Sequence, residues 1–196
     1  MADPAHRLAT YQDVLNAPPG LTAEILGGEL FLSPRPASSH GFAEDYMGDD
    51  LRSAFARGRG GPGGWWILSE PELHLGKVDP TSVVAAPDLA GWRRERMPTV
   101  PDVAAFTLPP DWICEILSPG PANIRRDRVK KPAEYALAGI PWLWLVDPRE
   151  HVLEVRHLQG DVYAVVQTFV GDDRARPQPF DAVEFELANW WLPTGP

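Results

Sequence analysis

Residues 112–117 read Trp112-Ile113-Cys114-Glu115-Ile116-Leu117, and the carboxylate inside that apolar run decides how the rest of the chain is read. A short run of β-branched, aromatic and aliphatic residues predicts a buried strand. A carboxylate in such a strand loses its hydration unless a partner replaces it, and a divalent metal is one partner of suitable chemistry. A second acid is placed in the same way: Val83-Val84-Ala85-Ala86-Pro87 closes on Asp88 and Leu89. Each acid alone reads equally well as the outward face of a half-buried strand. Two of them on neighbouring apolar strands, followed by a basic segment, favour a metal site.

That segment is Arg125-Arg126-Asp127-Arg128-Val129-Lys130-Lys131, five basic residues against one acid, reached through the turn Ser118-Pro119-Gly120-Pro121. A charge run is most often a solvated helix face. Here its position brings positive charge beside the acids, the arrangement that phosphoryl chemistry needs. A helix is expected within Asp127–Ala138, with Gly139 as the residue that ends it.

Outward from these runs the pattern is mixed. Thr10 is a candidate cap for a short helix over Tyr11–Leu15. Glu24-Ile25-Leu26 and Glu29-Leu30-Phe31-Leu32 flank Gly27-Gly28, a hairpin signal. Phe42, Ala43, Tyr46, Met47, Leu51, Ala54 and Phe55 recur at helical spacing between His40 and Ala56. Trp65–Leu68 and Glu72–Leu75 read as one strand or two, and Trp142–Val146, Val152–His157 and Val162–Phe169 as three more. Arg57–Gly64 reads as a flexible loop, and Pro98–Pro110 as an ordered excursion between strands. The expected class is α/β in the α+β sense, strand-rich with two main helices, in one domain over residues 1–196.

Composition narrows the function classes. Of 196 residues, 44% are hydrophobic and 23% charged, which fits neither a disordered nor a membrane protein. No run approaches the roughly 20 apolar residues that span a bilayer, and Met1–Thr10 lacks the apolar stretch of an export signal. The lone Cys114 excludes an internal disulfide framework and a cysteine zinc cluster, and a reducing cytoplasm is the expected setting. A net charge of −9 argues against a protein that coats nucleic acid without specificity. It leaves room for an enzyme with a local basic strip and an acidic centre. The eight tryptophans include Trp142 and Trp144 on one strand face, which reads as core or as the interface of a homodimer.

Taken in order, a set of short motifs resembles the Uma family of bacterial endonucleases. They are Gly28-Glu29-Leu30, Ser33-Pro34-Arg35-Pro36 with His40, Glu70-Pro71-Glu72-Leu73, Pro87-Asp88-Leu89, Glu115-Ile116-Leu117-Ser118-Pro119, Arg126-Asp127 with Lys131 and Tyr135, Ala138-Gly139-Ile140, and Trp144-Leu145-Val146-Asp147-Pro148. The match runs over roughly residues 10–190. The resemblance implies a restriction-endonuclease-like mixed central sheet flanked by helices, with a PD-(D/E)XK core. It implies that Asp88, Glu115 and the backbone carbonyl of Ile116 hold Mg²⁺ or Mn²⁺. Leu117 stands where the motif's lysine would be, and Lys131 on the following helix matches the lysine's place in this family.

Asp88, Glu115 and Lys131 are then the catalytic residues, with Glu29, His40 and Glu72 in support. Arg125, Arg126, Arg128 and Lys130 would contact the phosphates of a DNA substrate. Pro132 departs from the family pattern, so the helix should start near Lys131 or kink there, and either would re-aim Lys131. Two rival readings stay open: a nucleic-acid- or protein-binding module of the same fold without efficient catalysis, and hydrolysis of another phosphodiester such as RNA.

Overall fold

The computed structural model describes residues 7–193, so the expectations that touch residues 1–6 and 194–196 lie outside the described residues. Thr10 opens α1 (Tyr11–Leu15), its backbone N–H donating to the Asp13 carboxylate at 2.7 Å. Strands β1 (Thr22–Leu26) and β2 (Glu29–Ser33) form the expected hairpin. Gly27 and Gly28 take φ of 60° and 74° at its tip, which side chains with a Cβ rarely adopt. Helix α2 (Ser38–Leu51) runs on into a π-helical turn over Arg52–Ala56.

The next four strands are β3 (Trp65–Ser69), β4 (Leu73–His74), β5 (Val84–Ala85) and β6 (Leu89–Arg93). Then follow β7 (Trp112–Ile116), β8 (Trp142–Asp147), β9 (Val152–Gln159) and β10 (Val162–Val170). The short β11 (Arg174–Ala175) and β12 (Phe185–Glu186) pair with one another. One sheet has the order β2-β1-β5-β4 and is antiparallel throughout. The larger sheet runs β10-β9-β8-β7-β6-β3, with β7 and β8 its parallel pair. A parallel pair needs a crossover, which the helical stretch between them supplies.

Two readings of the sequence are corrected here. The run Val83–Leu89 is not one strand: β5 belongs to the smaller sheet and β6 to the larger, with Ala86-Pro87-Asp88 as the crossing. Proline lacks the N–H that a central ladder needs, so the chain changes sheets there. Trp65–Leu68 and Glu72–Leu75 divide likewise into β3 and β4, the turn marked by Glu70 at φ 46°. Second, the crossover helix begins before Asp127. It runs as α3 (Pro121–Arg125), a π-helical turn over Arg126–Lys130, and α4 (Lys131–Leu137). Pro132 sits in the first turn of α4, as expected, because the wider π turn interrupts the α ladder just where proline could not have served it. Gly139 follows at φ 75° and ends the helix.

The β7 run is apolar on both faces because both faces are covered. Trp112, Cys114 and Ile116 join the core beneath α2 with Trp144, Phe180 and Trp190. Ile113 and Leu117 join the core on the opposite face with Leu143, Leu145, Trp92 and Tyr135. Glu115, by the same alternation, points toward Tyr135 and α4. Trp142 and Trp144 serve the core and its margin. Each side chain of this size contributes about 1.5–3 kcal/mol when fully buried. Pro98–Pro110 is the ordered excursion expected of it: Phe106 packs on Trp92, whose Nε1–H donates to the Leu108 carbonyl at 2.9 Å.

Candidate active site

The two sheets, the start of α2 and the crossover helix meet around a cleft of about 220 Å³ lined by Asp88, Glu115, Lys131, His40, Glu24 and Arg126, among others. Asp88 comes to it from the sheet crossing. Its Oδ1 lies 2.8 Å from His40 Nε2, and its Oδ2 accepts the Ile116 N–H at 2.5 Å. The Leu117 N–H donates to Val146 on β8, so the Ile116 carbonyl, trans to it in the same peptide plane, points the other way, to the Asp88 side of β7. Asp88 and the Ile116 carbonyl therefore share one side of the strand.

Beside them is a buried charge cluster. Lys131, 3% exposed, places Nζ at 2.8 Å from Glu115 Oε2, 2.9 Å from Glu24 Oε1 and 3.2 Å from the Ala86 carbonyl. An ammonium has three protons, and these three acceptors satisfy them. Glu24 Oε1 also takes the Ala86 N–H at 2.9 Å, tying the lysine's seat to the segment that delivers Asp88. Glu115 Oε1 accepts the Tyr135 hydroxyl from one turn further along α4. Arg126 donates through Nε to Asp127 at 2.6 Å, lies 3.8 Å from Glu24 and reaches Ser33.

The electrostatics follow from burial and neighbours. Burial drives the Glu115 carboxyl up to about 8, with Asp88, Asp127 and Glu24 adding to the push and Lys131 opposing it. Burial works against the Lys131 charge, but Glu115 and Glu24 outweigh it and hold the ammonium above its usual range. The Tyr135 hydroxyl is pushed far up by burial and by Glu115, so it remains a donor. Burial and Asp88 raise Glu44 to about 7. Burial would lower His40, yet its bond to Asp88 raises it.

Glu44 stands one helical turn beyond His40, on the same face of α2. One ligand atom from each of His40, Glu44 and Asp88 lies within 4.8 Å of the others. Carboxylates with an imidazole suit Mg²⁺ or Mn²⁺, so the donor set fits the cofactor that the resemblance implies.

The other expected residues are dispersed. Glu29 is exposed at the hairpin, 3.5 Å from Lys130, and Glu72 takes bonds from Tyr11 and His74 at 2.7 Å each; neither lines the cleft. Of the basic segment only Arg126 and Lys131 line it. Arg125 is exposed, and Arg128 pairs with Glu154 at 3.2 Å and Asp147 at 3.9 Å on the far sheet. Successive helical residues turn by about 100°, so a continuous run of charge cannot face one ligand. Glu24 and Glu44 escaped the sequence reading. Each carried a legible signal: Glu24 is an acid beside apolar Ile25 and Leu26, like Glu115 in its run, and Glu44 follows His40 by four residues.

A mixed sheet with one parallel pair bridged by a helix, and acids and a lysine gathered where the sheets meet, defines the restriction-endonuclease-like class. The chain belongs to the Uma2 family, whose model, described as "Putative restriction endonuclease", matches residues 8–189. Its fold is also that of a crystal structure from Anabaena variabilis ATCC 29413, a "putative nuclease belonging to DUF820", at TM-score 0.71 and 20% identity over 94% of this chain and 99% of that one. No curated protein matches the chain.

Proposed function

We propose that the protein is a divalent-metal-dependent endonuclease that hydrolyses DNA phosphodiester bonds in the cleft between its sheets. What carries the reading is the convergence of Asp88, Glu115 and Lys131, far apart in sequence, on one cleft whose His40 and Asp88 also belong, with Glu44, to a metal-competent donor set. Asp88 and the Ile116 carbonyl offer oxygen to Mg²⁺ or Mn²⁺ from one side of β7. A cation there supplies Lewis-acid stabilisation of the phosphate and acidifies water.

The remaining work falls to the chain. Lys131 carries its positive charge to the cleft wall, where it neutralises charge growing on the phosphate oxygens; orienting the attacking water requires one of its three bonds, to Glu115, Glu24 or the Ala86 carbonyl, to open. Glu115 and Glu24 hold that ammonium in place from opposite sides, and Tyr135 holds Glu115. Arg126 contacts the phosphate backbone, which positions a duplex without reading its sequence. With Arg35 and Arg126 the arginines beside Lys131 on the cleft, DNA affinity from this chain alone is modest, and a second copy of the chain would extend the positive surface.

The test is plasmid nicking in Mg²⁺, Mn²⁺ and EDTA. Wild type should nick with either metal and not with EDTA. Glu115→Ala and Lys131→Ala should be inactive, whereas Lys130→Ala, whose side chain reaches Glu29 at the surface, should nick normally. Because removing Lys131 strands two buried carboxylates, at about 3–5 kcal/mol for breaking a buried pair, each variant is first checked for a folded circular dichroism spectrum. Metal-independent nicking, or none by folded wild type, would defeat the reading.

A further inference from the structure

The resemblance implies Asp88 and Glu115 as the metal-holding side chains, but the donor atoms that converge are a different set. Both Glu115 oxygens have protein partners, the Lys131 ammonium and the Tyr135 hydroxyl, and the side chain is 2% exposed. His40, Glu44 and Asp88 bring their ligand atoms within 4.8 Å of one another, His40 buried and the two acids half-buried. Ligands on opposite sides of a small octahedral cation stand roughly 4.2 Å apart, so only a slight contraction makes one seat.

The surroundings prepare His40 for that task. Ser118 Oγ lies 3.3 Å from Nδ1, on the side of the ring away from Asp88. Nε2 bonds Asp88 Oδ1 at 2.8 Å; a cation entering between them would take the Nε2 lone pair with the ring proton moved to Nδ1, where Ser118 can accept it. The backbone holds both partners: His40 and Glu44 are set by α2, and the second Asp88 oxygen is fixed by the Ile116 N–H. Glu44 and Asp88 are half-buried, leaving room for water on the ion.

We propose that His40, Glu44 and Asp88 form the metal seat of this cleft, that Glu115 lies outside the ligand set, and that the imidazole makes the seat prefer Mn²⁺ to Mg²⁺. Mn²⁺, a transition cation, accepts an imidazole nitrogen more readily than the harder Mg²⁺, which favours oxygen throughout. The proposal rests on the metal-dependent reading of the cleft and names the residues that serve it.

The test is electron spin-echo spectroscopy of the Mn²⁺ complex, with Mn²⁺ and Mg²⁺ affinities by calorimetry. Wild type should show the nitrogen modulation of a bound imidazole, which His40→Gln removes. Changes to outer-shell partners alone cost about 10–100-fold in affinity, so Glu44→Gln should weaken Mn²⁺ by at least about tenfold. Glu115→Gln should keep the nitrogen modulation, and His40→Gln should narrow the gap between Mn²⁺ and Mg²⁺. An all-oxygen Mn²⁺ spectrum in wild type, which requires no variant to fold, would overturn the proposal. So would a Glu115→Gln protein that loses Mn²⁺ while Glu44→Gln keeps it. Nitrogen-bound Mn²⁺ without DNA cleavage would keep the metal seat and remove the nuclease reading; cleavage with an all-oxygen ion would do the reverse.

Discussion

Glu44 shows most directly how a single side chain carries a cost in the metal-free protein. Its carboxyl is raised from the ordinary 4.5 to about 7 by burial, then by Asp88 and Glu70. Between those values the folded protein binds more protons than the unfolded chain, so folding stability falls as pH rises through that window. The penalty is absent below about 4.5 and complete above about 7. Glu44→Gln should therefore stabilise the metal-free protein at pH 8 and leave it unchanged near pH 4.5. The full shift would correspond to about 3 kcal/mol, but Glu44 keeps much solvent contact and screening reduces the expected gain to roughly 1 kcal/mol. Urea denaturation in EDTA at two pH values measures it; a variant less stable than wild type at pH 8 would contradict the account. Lys131 obeys the same physics with the opposite outcome, because Glu115 and Glu24 stand within 2.9 Å of its buried ammonium and raise it above its usual range.

At the scale of elements, the crossover helix is where local preference and site meet. Pro132 and Gly139 bound α4 for reasons visible in their chemistry: one cannot donate to a helix interior, and the other alone takes φ 75° without strain. An added Cβ at Gly139 meets nothing within 4 Å, so the cost of Gly139→Ala is conformational and not steric. It should lower stability by about 1 kcal/mol, and Gly139→Asn by less, since asparagine tolerates the left-handed region. Chemical denaturation of the pair checks this, and equal losses would point to packing instead. The π turn before Pro132 was not legible, because it arises from fitting proline into a helix that began earlier than its charged residues suggested. The strand at Val84–Ala85 was legible only as an apolar run; that the chain changes sheets at Pro87 depends on which partner strands are available.

For the whole molecule, two large cores on either face of the main sheet hold the fold without help from a metal. Mn²⁺ should therefore raise stability but not be required for folding, unlike a small zinc module. At about 100 times its dissociation constant a ligand adds roughly 2.7 kcal/mol. For a chain of this size that is a rise of about 5–10 °C in Tm. EDTA should return the Tm to its metal-free value with the circular dichroism spectrum unchanged at room temperature. Unfolding by EDTA, or no shift with saturating Mn²⁺, would contradict this picture. No helix among the described residues is long and apolar enough to cross a membrane.

By itself the sequence determined the local matters: the Gly27-Gly28 hairpin, the helices at His40 and before Gly139, the buried run at Trp112–Leu117, and the two acids that such runs should not contain without reason. It also determined the family, through motifs whose order survives at low similarity. Those features depend on neighbours in the chain, on side-chain period and on backbone conformations open to few residue types. Only the tertiary structure decided which charges meet. It put Glu24 and Glu115 on one ammonium, Glu44 beside Asp88, and Arg128 against the larger sheet while Arg126 reaches the smaller one. Charge acts through distance across the fold, and the distance between two residues far apart in sequence is set by how sheets and helices pack.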